Sequence, residues 1–158
     1  MKTINITPEQ VTRAKDLYYF DSLNGSITNG KGNIYGAVGE IITFDYFASV
    51  TNCEQSNNFD YDLIIDGYRV DVKTKRSNVA PKHYFNCSIP SFNTSQRCDY
   101  YFFVRVTDDL KTGYLLGYIS KDNFFTNARL NKKGEQDGSG FVFKTDCYNL
   151  EAGCLVGF

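Results

Sequence analysis

The sequence YDLIIDGYRVDVKTKR, residues 61–76, decides the fold of this chain, because it has the pattern of two short strands joined by a tight turn. Asp66-Gly67 is a dipeptide typical of two-residue hairpin loops. An apolar run precedes this turn, and residues rich in β-branched and aromatic side chains follow it. The pattern predicts a β-hairpin with strands at 62–66 and 68–75.

The hairpin brings charged side chains together at one end. Side chains alternate between the two faces of a strand, so Asp71 and Lys73 share a face of the second strand. Pairing across the turn places Asp62 opposite Asp71. Two carboxylates this close repel each other unless a cation lies between them, and a hard divalent ion such as Mg²⁺ prefers oxygen ligands of this kind. The hairpin therefore predicts a magnesium site with Lys73 beside it.

The order of these residues resembles the signature of the PD-(D/E)xK nuclease superfamily. Asp62 matches its first acid and Asp71-Val72-Lys73 its second acid and lysine, while Tyr61 stands where the signature has proline. The resemblance implies that Asp62, Asp71 and the Val72 carbonyl hold Mg²⁺, for which Mn²⁺ can substitute. Lys73 would orient the attacking water and stabilise the developing charge.

A glutamate on the preceding helix is a further element of many members of that superfamily. The segment GAVGE at 36–40 resembles this element, and helical periodicity places Glu40 on a face with small or apolar residues. The resemblance implies that Glu40 binds the metal directly or through water. The segment GYISKDNFF at 117–125 resembles a feature of small phage nucleases.

Three other polar residues have alternative interpretations. Asp60 and Asp62 share a face of an extended strand, so periodicity leaves both open as the first acid. We favour Asp62 because it adjoins the apolar run. Asp99 is a weaker candidate for an accessory acid, and Gln96 is interpreted as a solvated loop residue rather than a substrate contact.

Composition and charge narrow the classes of function. The chain has 158 residues, of which 42% are hydrophobic, and this fits one domain with a sizeable core. A formal charge of −1 argues against a histone-like, purely electrostatic nucleic-acid binder. Basic residues nevertheless cluster after the hairpin turn, which predicts contacts with a DNA backbone. The predicted DNA contacts are Lys75, Arg76, Lys82 and His83.

Cysteine spacing and hydropathy bear on the cellular compartment. The five cysteines have no CxxC spacing, so we expect reduced thiols rather than a disulfide framework or a zinc site. The first ten residues lack a hydrophobic signal core, and no apolar run approaches the length of a transmembrane helix. We therefore expect a cytoplasmic protein, of a kind that phages encode in a bacterial host, with no membrane partner.

The other segments predict helices and strands around the hairpin. Thr7 is a candidate N-cap, and Gln10 completes a capping box with it. Ser120 is the candidate N-cap of a later helix. The predicted helices are 8–23, 34–49 and 120–127, the further strands are 83–89, 100–106, 113–119 and 141–144, a loop spans 24–33, and a helical turn spans 146–150.

Together these features predict a single α/β domain over residues 1–158, with a restriction-endonuclease-like core of about five mixed strands flanked by helices. The expected activity is Mg²⁺-dependent hydrolysis of phosphodiester bonds in DNA, of the homing, phage or restriction type. One site cuts one strand, so cleavage of both strands needs a homodimer or a second event. A Holliday-junction or branched-DNA resolvase, a non-catalytic DNA-binding module and an RNA-directed nuclease stay open as alternatives.

Overall fold

A six-stranded sheet organises the chain in the computed structural model, which describes residues 1–23, 34–56, 58–138 and 140–158, without the side chains of 18–23. The predicted loop at 24–33 lies outside the described residues. The strands are β1 (Lys2–Asn5), β2 (Cys53–Gln55), β3 (Leu63–Ile65), β4 (Tyr68–Arg76), β5 (Asn86–Pro90), β6 (Tyr100–Val106), β7 (Thr112–Ser120), β8 (Arg129–Asn131) and β9 (Cys147–Glu151). The helices are α1 (Pro8–Leu23), α2 (Ile34–Ala48) and α3 (Lys121–Asn127), and short 3₁₀ turns span Ser91–Asn93 and Ala152–Cys154.

The strands form two sheets. The large sheet has the order β1-β7-β6-β4-β3-β2, in which β4 and β6 are parallel and the other neighbours are antiparallel. The small sheet has the order β5-β9-β8 and is antiparallel. The predicted α/β class with a mixed sheet is confirmed, with six strands in the large sheet instead of about five.

The predicted hairpin is the junction of β3 and β4. Leu63 pairs with Val70, and the two turn residues, Asp66 and Gly67, have φ angles of 48° and 84°. Both residues are in the left-handed region that a type I′ hairpin turn requires. The Asp-Gly pair therefore fixes the register that the sequence predicted.

Helix α2 covers one face of the large sheet. It packs on Val70 and Val72 of β4, and its closest approach is at Gly39, where an added Cβ would lie 1.9 Å from Thr74 Oγ1. Helix α1 lies against α2, and Arg13 forms an ion pair of 2.9 Å with Asp45. Both helices thus contribute to the core on this face of the large sheet.

The opposite face of the large sheet meets α3 and the small sheet. Tyr101 and Phe103 of β6 are buried there against Phe124 of α3 and against Ile89 of β5. Asp71, Lys73 and Lys75 of β4 alternate with the residues that face α2, so they point to this second face. Asp71 and Lys73 are therefore covered on this face, whereas Lys75 stays exposed.

Both predicted helix caps are present. Thr7 Oγ1 accepts from Gln10 N at 3.2 Å while Gln10 Oε1 accepts from Thr7 N at 3.0 Å, which is a complete capping box. Ser120 Oγ accepts from Asn123 N at 3.3 Å and begins α3. Within the described residues, no helix is both long enough and apolar enough to cross a bilayer.

Several predicted elements were wrong or missed. The strand predicted at 83–89 starts at Asn86 and belongs to the small sheet. The strand predicted at 141–144 is reduced to one bridge between Val142 and Gln136, and the helical turn predicted at 146–150 is strand β9. Strands β1, β2 and β8 were not predicted. These short strands exist because distant segments pair with them, and local periodicity does not reveal such partners.

Candidate active site

Asp71 and Lys73 form a buried ion pair on β4. Asp71 is 3% exposed, and its Oδ2 lies 2.6 Å from Lys73 Nζ in a charge contact rather than an aligned hydrogen bond. Burial raises the pKa of Asp71, and the neighbouring Lys73 ammonium opposes that rise. The predicted shared face of these two residues is confirmed, and their charges are in direct contact.

Gln96 connects the two members of this pair. Its Nε2 donates to Asp71 Oδ1 at 2.9 Å and to the Phe59 carbonyl at 3.1 Å, and its Oε1 accepts from Lys73 Nζ at 3.1 Å. Lys121 Nζ donates to the Gln96 carbonyl. Gln96 is only 5% exposed, so its interpretation as a solvated loop glutamine was wrong. Its polar local sequence, SFNTSQR, carries no signal that would have predicted its burial.

Asp62 lies just beyond the last β3–β4 pair, Leu63 with Val70, so no strand pair joins it to Asp71 as the sequence predicted. Its backbone N–H donates to the Val70 carbonyl at 3.0 Å, and its Oδ2 accepts from the Val72 N–H at 2.7 Å. The β3–β4 ladder ends here, so the edge of β4 beyond Val70 is not paired with β3. The Val72 carbonyl points to the same edge as the Val72 N–H, because both groups of a residue face one neighbour in an antiparallel ladder. Asp62 therefore lies beside the predicted carbonyl ligand.

Asp60 has a different environment. Its Oδ1 accepts from the Arg97 backbone N–H at 3.2 Å, so it contacts the segment that precedes β6 rather than β4. This contact favours Asp62 as the acid that belongs with Asp71. Asp60 and Asp62 are distinguished by their tertiary contacts, which the periodicity of the sequence could not predict.

Glu40 belongs to α2, the helix that packs on one face of the large sheet. The adjacent Gly39 packs directly on Thr74, which neighbours Lys73 in the strand. Glu40 is half-buried on α2, whereas Asp71 and Lys73 point to the face that α2 does not cover. Among the described residues, no three His, Cys, Asp or Glu side chains are grouped as ready metal ligands. The structure thus brings Asp62, Asp71 and Lys73 together but does not show Glu40 joining them in such a group.

Two neutral side chains, Cys98 and Tyr101, lie beside the ion pair. Cys98 is 5% exposed, and burial, followed by the charge of Asp71, raises its pKa to about 11. The thiol therefore stays protonated at neutral pH. Tyr101 is fully buried next to it, and burial raises the pKa of its hydroxyl as well. Neither Cys98 nor Tyr101 therefore competes with Lys73 for the charge of Asp71.

The predicted DNA contacts are spread over two regions. Arg76 forms an ion pair of 2.8 Å with Asp108, and its guanidinium lies 4.8 Å from the centre of the Tyr35 ring. Lys82 and His83 are exposed and both contact the ring of Tyr84. Lys75 instead points into a hollow between the two sheets.

Asp99 has a structural role. Its carboxylate accepts from the backbone N–H of Arg69 at 2.8 Å and from the Arg69 guanidinium at 2.6 and 3.0 Å. These hydrogen bonds lower the pKa of Asp99. They fasten the start of β4 to the start of β6, and this accounts for the acid without an accessory role in chemistry.

Comparison of the chain with models of known protein families and with curated proteins finds no match. The likeness to PD-(D/E)xK nucleases therefore rests on Asp62, Asp71, Lys73 and the hairpin that carries them.

Proposed function

We propose that this chain is a magnesium-dependent endonuclease that hydrolyses phosphodiester bonds in DNA on a restriction-endonuclease-like core. One observation supports the proposal most strongly: Asp71 and Lys73 form a buried pair, and the Asp62 carboxylate accepts from the N–H of Val72, the residue between them. Burying an ion pair costs free energy that a hydrophobic pair of the same size would not. A carboxylate with a raised pKa beside a specific charged partner is typical of functional sites.

The donor atoms at this end of the hairpin suit Mg²⁺. Mg²⁺ is usually bound by one or two carboxylates, with water and substrate phosphate completing its shell. Asp62, Asp71 and the Val72 carbonyl supply oxygen donors at the unpaired edge of β4. Asp71 Oδ2 is buried, has no hydrogen-bond partner among the described residues and lies 2.6 Å from the Lys73 ammonium. Asp71 would hold the cation through this oxygen in place of Lys73.

The roles of the chain's own residues follow from these contacts. Lys73, released from Asp71, would hold the scissile phosphate or the attacking water and stabilise negative charge as it develops. Gln96 would keep the Asp71 carboxylate in one orientation through its hydrogen bond of 2.9 Å. When bound, Mg²⁺ would supply polarisation of the phosphate and a lowered pKa for the attacking water. As the resemblance implies, Glu40 would act directly or through water from its position on α2.

The partner in this proposal is DNA. Arg76, Lys82 and His83 are exposed and would contact the phosphate backbone, which makes the affinity fall with increasing salt. Because one site cuts one strand, cleavage of both strands would take a homodimer or two successive nicks.

A non-catalytic DNA-binding module is the second candidate. It is favoured by the close contact of Lys73 with Asp71, since a pair that neutralises itself needs no metal to offset the carboxylate. In that case the pair would only fix β4 against the Gln96 segment.

Nicking of supercoiled plasmid distinguishes the two candidates. The assay compares the protein with Mg²⁺, with EDTA, and as the Lys73→Ala variant. The control is Lys2→Ala, which removes a lysine whose ammonium lies on the α2 side, over Tyr46. We expect metal-dependent nicking by the wild type and Lys2→Ala and its loss in Lys73→Ala. A protein that shifts DNA in a gel but nicks no plasmid, branched DNA or RNA would instead be the binding module.

A further inference from the structure

A hollow lies between the large and small sheets, next to the ion pair. Its volume is about 400 Å³, and a contiguous part that shares Lys75 and Arg105 has about 720 Å³. Lys73 forms one end of the hollow, so the hollow opens directly from the candidate active site. Cavities of this size accept one small ligand. A DNA duplex would have to lie across its mouth.

Two cations lie side by side on the floor of this hollow. Lys75 and Arg105 are register partners on the parallel strands β4 and β6. Lys75 Nζ donates to the Asn86 carbonyl at 3.4 Å and to Ser88 Oγ, and Arg105 Nη2 donates to the same Asn86 carbonyl at 2.9 Å. These acceptors are neutral, and one carbonyl oxygen serves both cations.

Asp137 and Glu151 also line this hollow, and the charge of Asp137 offsets part of the positive charge of Lys75. Water reaches Lys75 through the hollow, but the surrounding protein atoms and then Arg105 lower its pKa, and the charge of Asp137 has the smallest opposing effect. Burial also lowers the pKa of Arg105, and its Nε is buried without a hydrogen-bond partner among the described residues. Placing two cations together in a partly desolvated hollow is unfavourable unless an anion joins them.

The small sheet holds Lys75 in position through a chain of hydrogen bonds. Ser88 Oγ, which accepts from Lys75, donates to Asn149 Oδ1 at 2.5 Å. Asn149 Nδ2 donates in turn to Asn131 Oδ1 at 2.9 Å, and both asparagines are buried. Such a buried polar network gives the ammonium one defined position. The hollow is therefore a built site rather than a gap between surface side chains.

Aromatic rings surround the cations. The Arg105 guanidinium lies 5.0 Å from the centre of the Phe85 ring. Tyr84 and Phe141 line the outer part of the hollow and are 51% and 54% exposed. Exposed rings beside cations are typical of sites where unpaired bases stack while the backbone is held by charge.

We propose that this hollow binds one unpaired nucleotide, with its phosphate on Lys75 and Arg105 and its base against Tyr84 and Phe141. Lys73 and Lys75 are two residues apart on a strand, a spacing of about 6.7 Å, so they can hold neighbouring phosphates of one strand. A guanidinium and an ammonium together match the oxygen acceptors of a phosphate. Resting on the proposed function, this names the substrate class: DNA with unpaired nucleotides beside the cut, as in flaps, forks and junctions.

Fluorescence anisotropy in EDTA tests the site without cleavage. The probes are a labelled oligothymidylate and a blunt hairpin duplex with the same number of nucleotides. We expect the wild type to bind the oligothymidylate more tightly, and Arg105→Gln or Lys75→Gln to weaken that binding about tenfold. The slope of log K against log salt should become shallower by about 0.7 for each lost phosphate contact. Arg105→Lys should recover most of the affinity.

Two further variants control for loss of the fold. Lys2→Gln removes a charge on the opposite face and should bind as the wild type does. If Arg105→Gln does not melt cooperatively, the Phe141→Ala variant provides the test instead. Phe141 is exposed at the rim, and its loss removes a stacking surface, so affinity for the oligothymidylate should also fall about tenfold. Unchanged affinity in the folded variants, or equal affinity for the two probes, would overturn the proposal.

The outcome is separable from that of the proposed function. If the protein nicks no DNA but its variants lose oligothymidylate binding, the nucleotide-binding site in the hollow is supported and the nuclease activity is rejected. If the protein nicks plasmid but its oligothymidylate binding does not depend on Lys75 and Arg105, the nuclease activity is supported and the nucleotide-binding site in the hollow is rejected.

Discussion

The carboxylate of Asp62 accepts a hydrogen bond of 2.7 Å from the backbone N–H of Val72. This contact replaces the strand pairing that β3 no longer provides beyond Val70. Asp62 therefore has a structural role, which needs an acceptor oxygen, and a proposed metal role, which needs a negative charge. The two roles can be separated, because an asparagine keeps the acceptor and loses the charge.

Asp62→Asn should abolish cleavage while leaving the fold nearly intact. The amide oxygen can still accept from Val72, so we expect a loss of stability of about 1 kcal/mol or less. The initial rate of plasmid nicking in Mg²⁺ should fall at least a hundredfold.

The matched control is Asp60→Asn, because Asp60 contacts Arg97 and not β4. This variant should nick plasmid at the wild-type rate. Loss of activity in Asp60→Asn with retention in Asp62→Asn would reverse the assignment of the first acid.

Gln96→Leu should weaken the use of metal more than the binding of DNA. Leucine has a similar volume but cannot hold Asp71 or Lys73, so the Asp71 carboxylate loses its fixed orientation. Losing such a supporting contact typically costs about 10–100-fold in metal affinity or activity. The measurement is the Mg²⁺ concentration that gives half-maximal nicking, which should rise.

Gln55→Leu, on the edge strand β2, is the matched control because its side chain is exposed. It should require the wild-type concentration of Mg²⁺. A Gln96→Leu variant that melts earlier but keeps the wild-type Mg²⁺ requirement would limit Gln96 to a structural role.

Lys73→Met should destabilise the fold in a pH-dependent manner. Burial holds the folded pKa of Asp71 above its unfolded value, so folding favours the protonated acid. That contribution is complete below the unfolded pKa and is lost as pH rises through the folded pKa. Without Lys73 the folded pKa rises further, and we expect a loss of about 3 kcal/mol at neutral pH and a smaller one in acid.

Urea unfolding at neutral and acidic pH measures this difference. The double variant Asp71→Asn/Lys73→Met buries neither charge and should regain much of the stability at neutral pH. An equal loss at both pH values would mean that Lys73 contributes through packing rather than through charge.

Gly39→Ala should loosen α2 from the large sheet. The added Cβ would lie 1.9 Å from Thr74 Oγ1 and 2.9 Å from Thr74 Cβ, so helix and strand must separate. Overpacking of this kind costs about 1–3 kcal/mol, which the urea midpoint will show. Thr74→Ala in the same chain should recover part of the loss.

Gly157→Ala is the matched control, since an added Cβ there meets nothing within 4 Å. Its urea midpoint should equal that of the wild type. A Gly39→Ala midpoint equal to that of Gly157→Ala would show that α2 can shift without cost.

Local patterns in the sequence predicted the elements that depend on neighbouring residues. The Asp66-Gly67 turn fixed the hairpin register, and through it the position of Asp62 beside Val72. The capping box at Thr7 and the cap at Ser120 placed two helix starts correctly. The apolar run at 100–106 gave β6 with its observed bounds. Turn chemistry, capping and periodicity act over a few residues, so the sequence alone carries them.

Contacts between distant segments decided the rest. Gln96 is a polar residue in a polar segment, and it becomes part of the site only because that segment folds over β4. Asp60 and Asp62 are equivalent by periodicity and differ only in the strand that each contacts. Lys75 and Arg105 lie thirty residues apart and become neighbours because β4 and β6 pair in parallel. The sequence by itself determined the hairpin and its charges, while the tertiary structure decided which residues enclose them, because pairing partners far along the chain leave no local pattern.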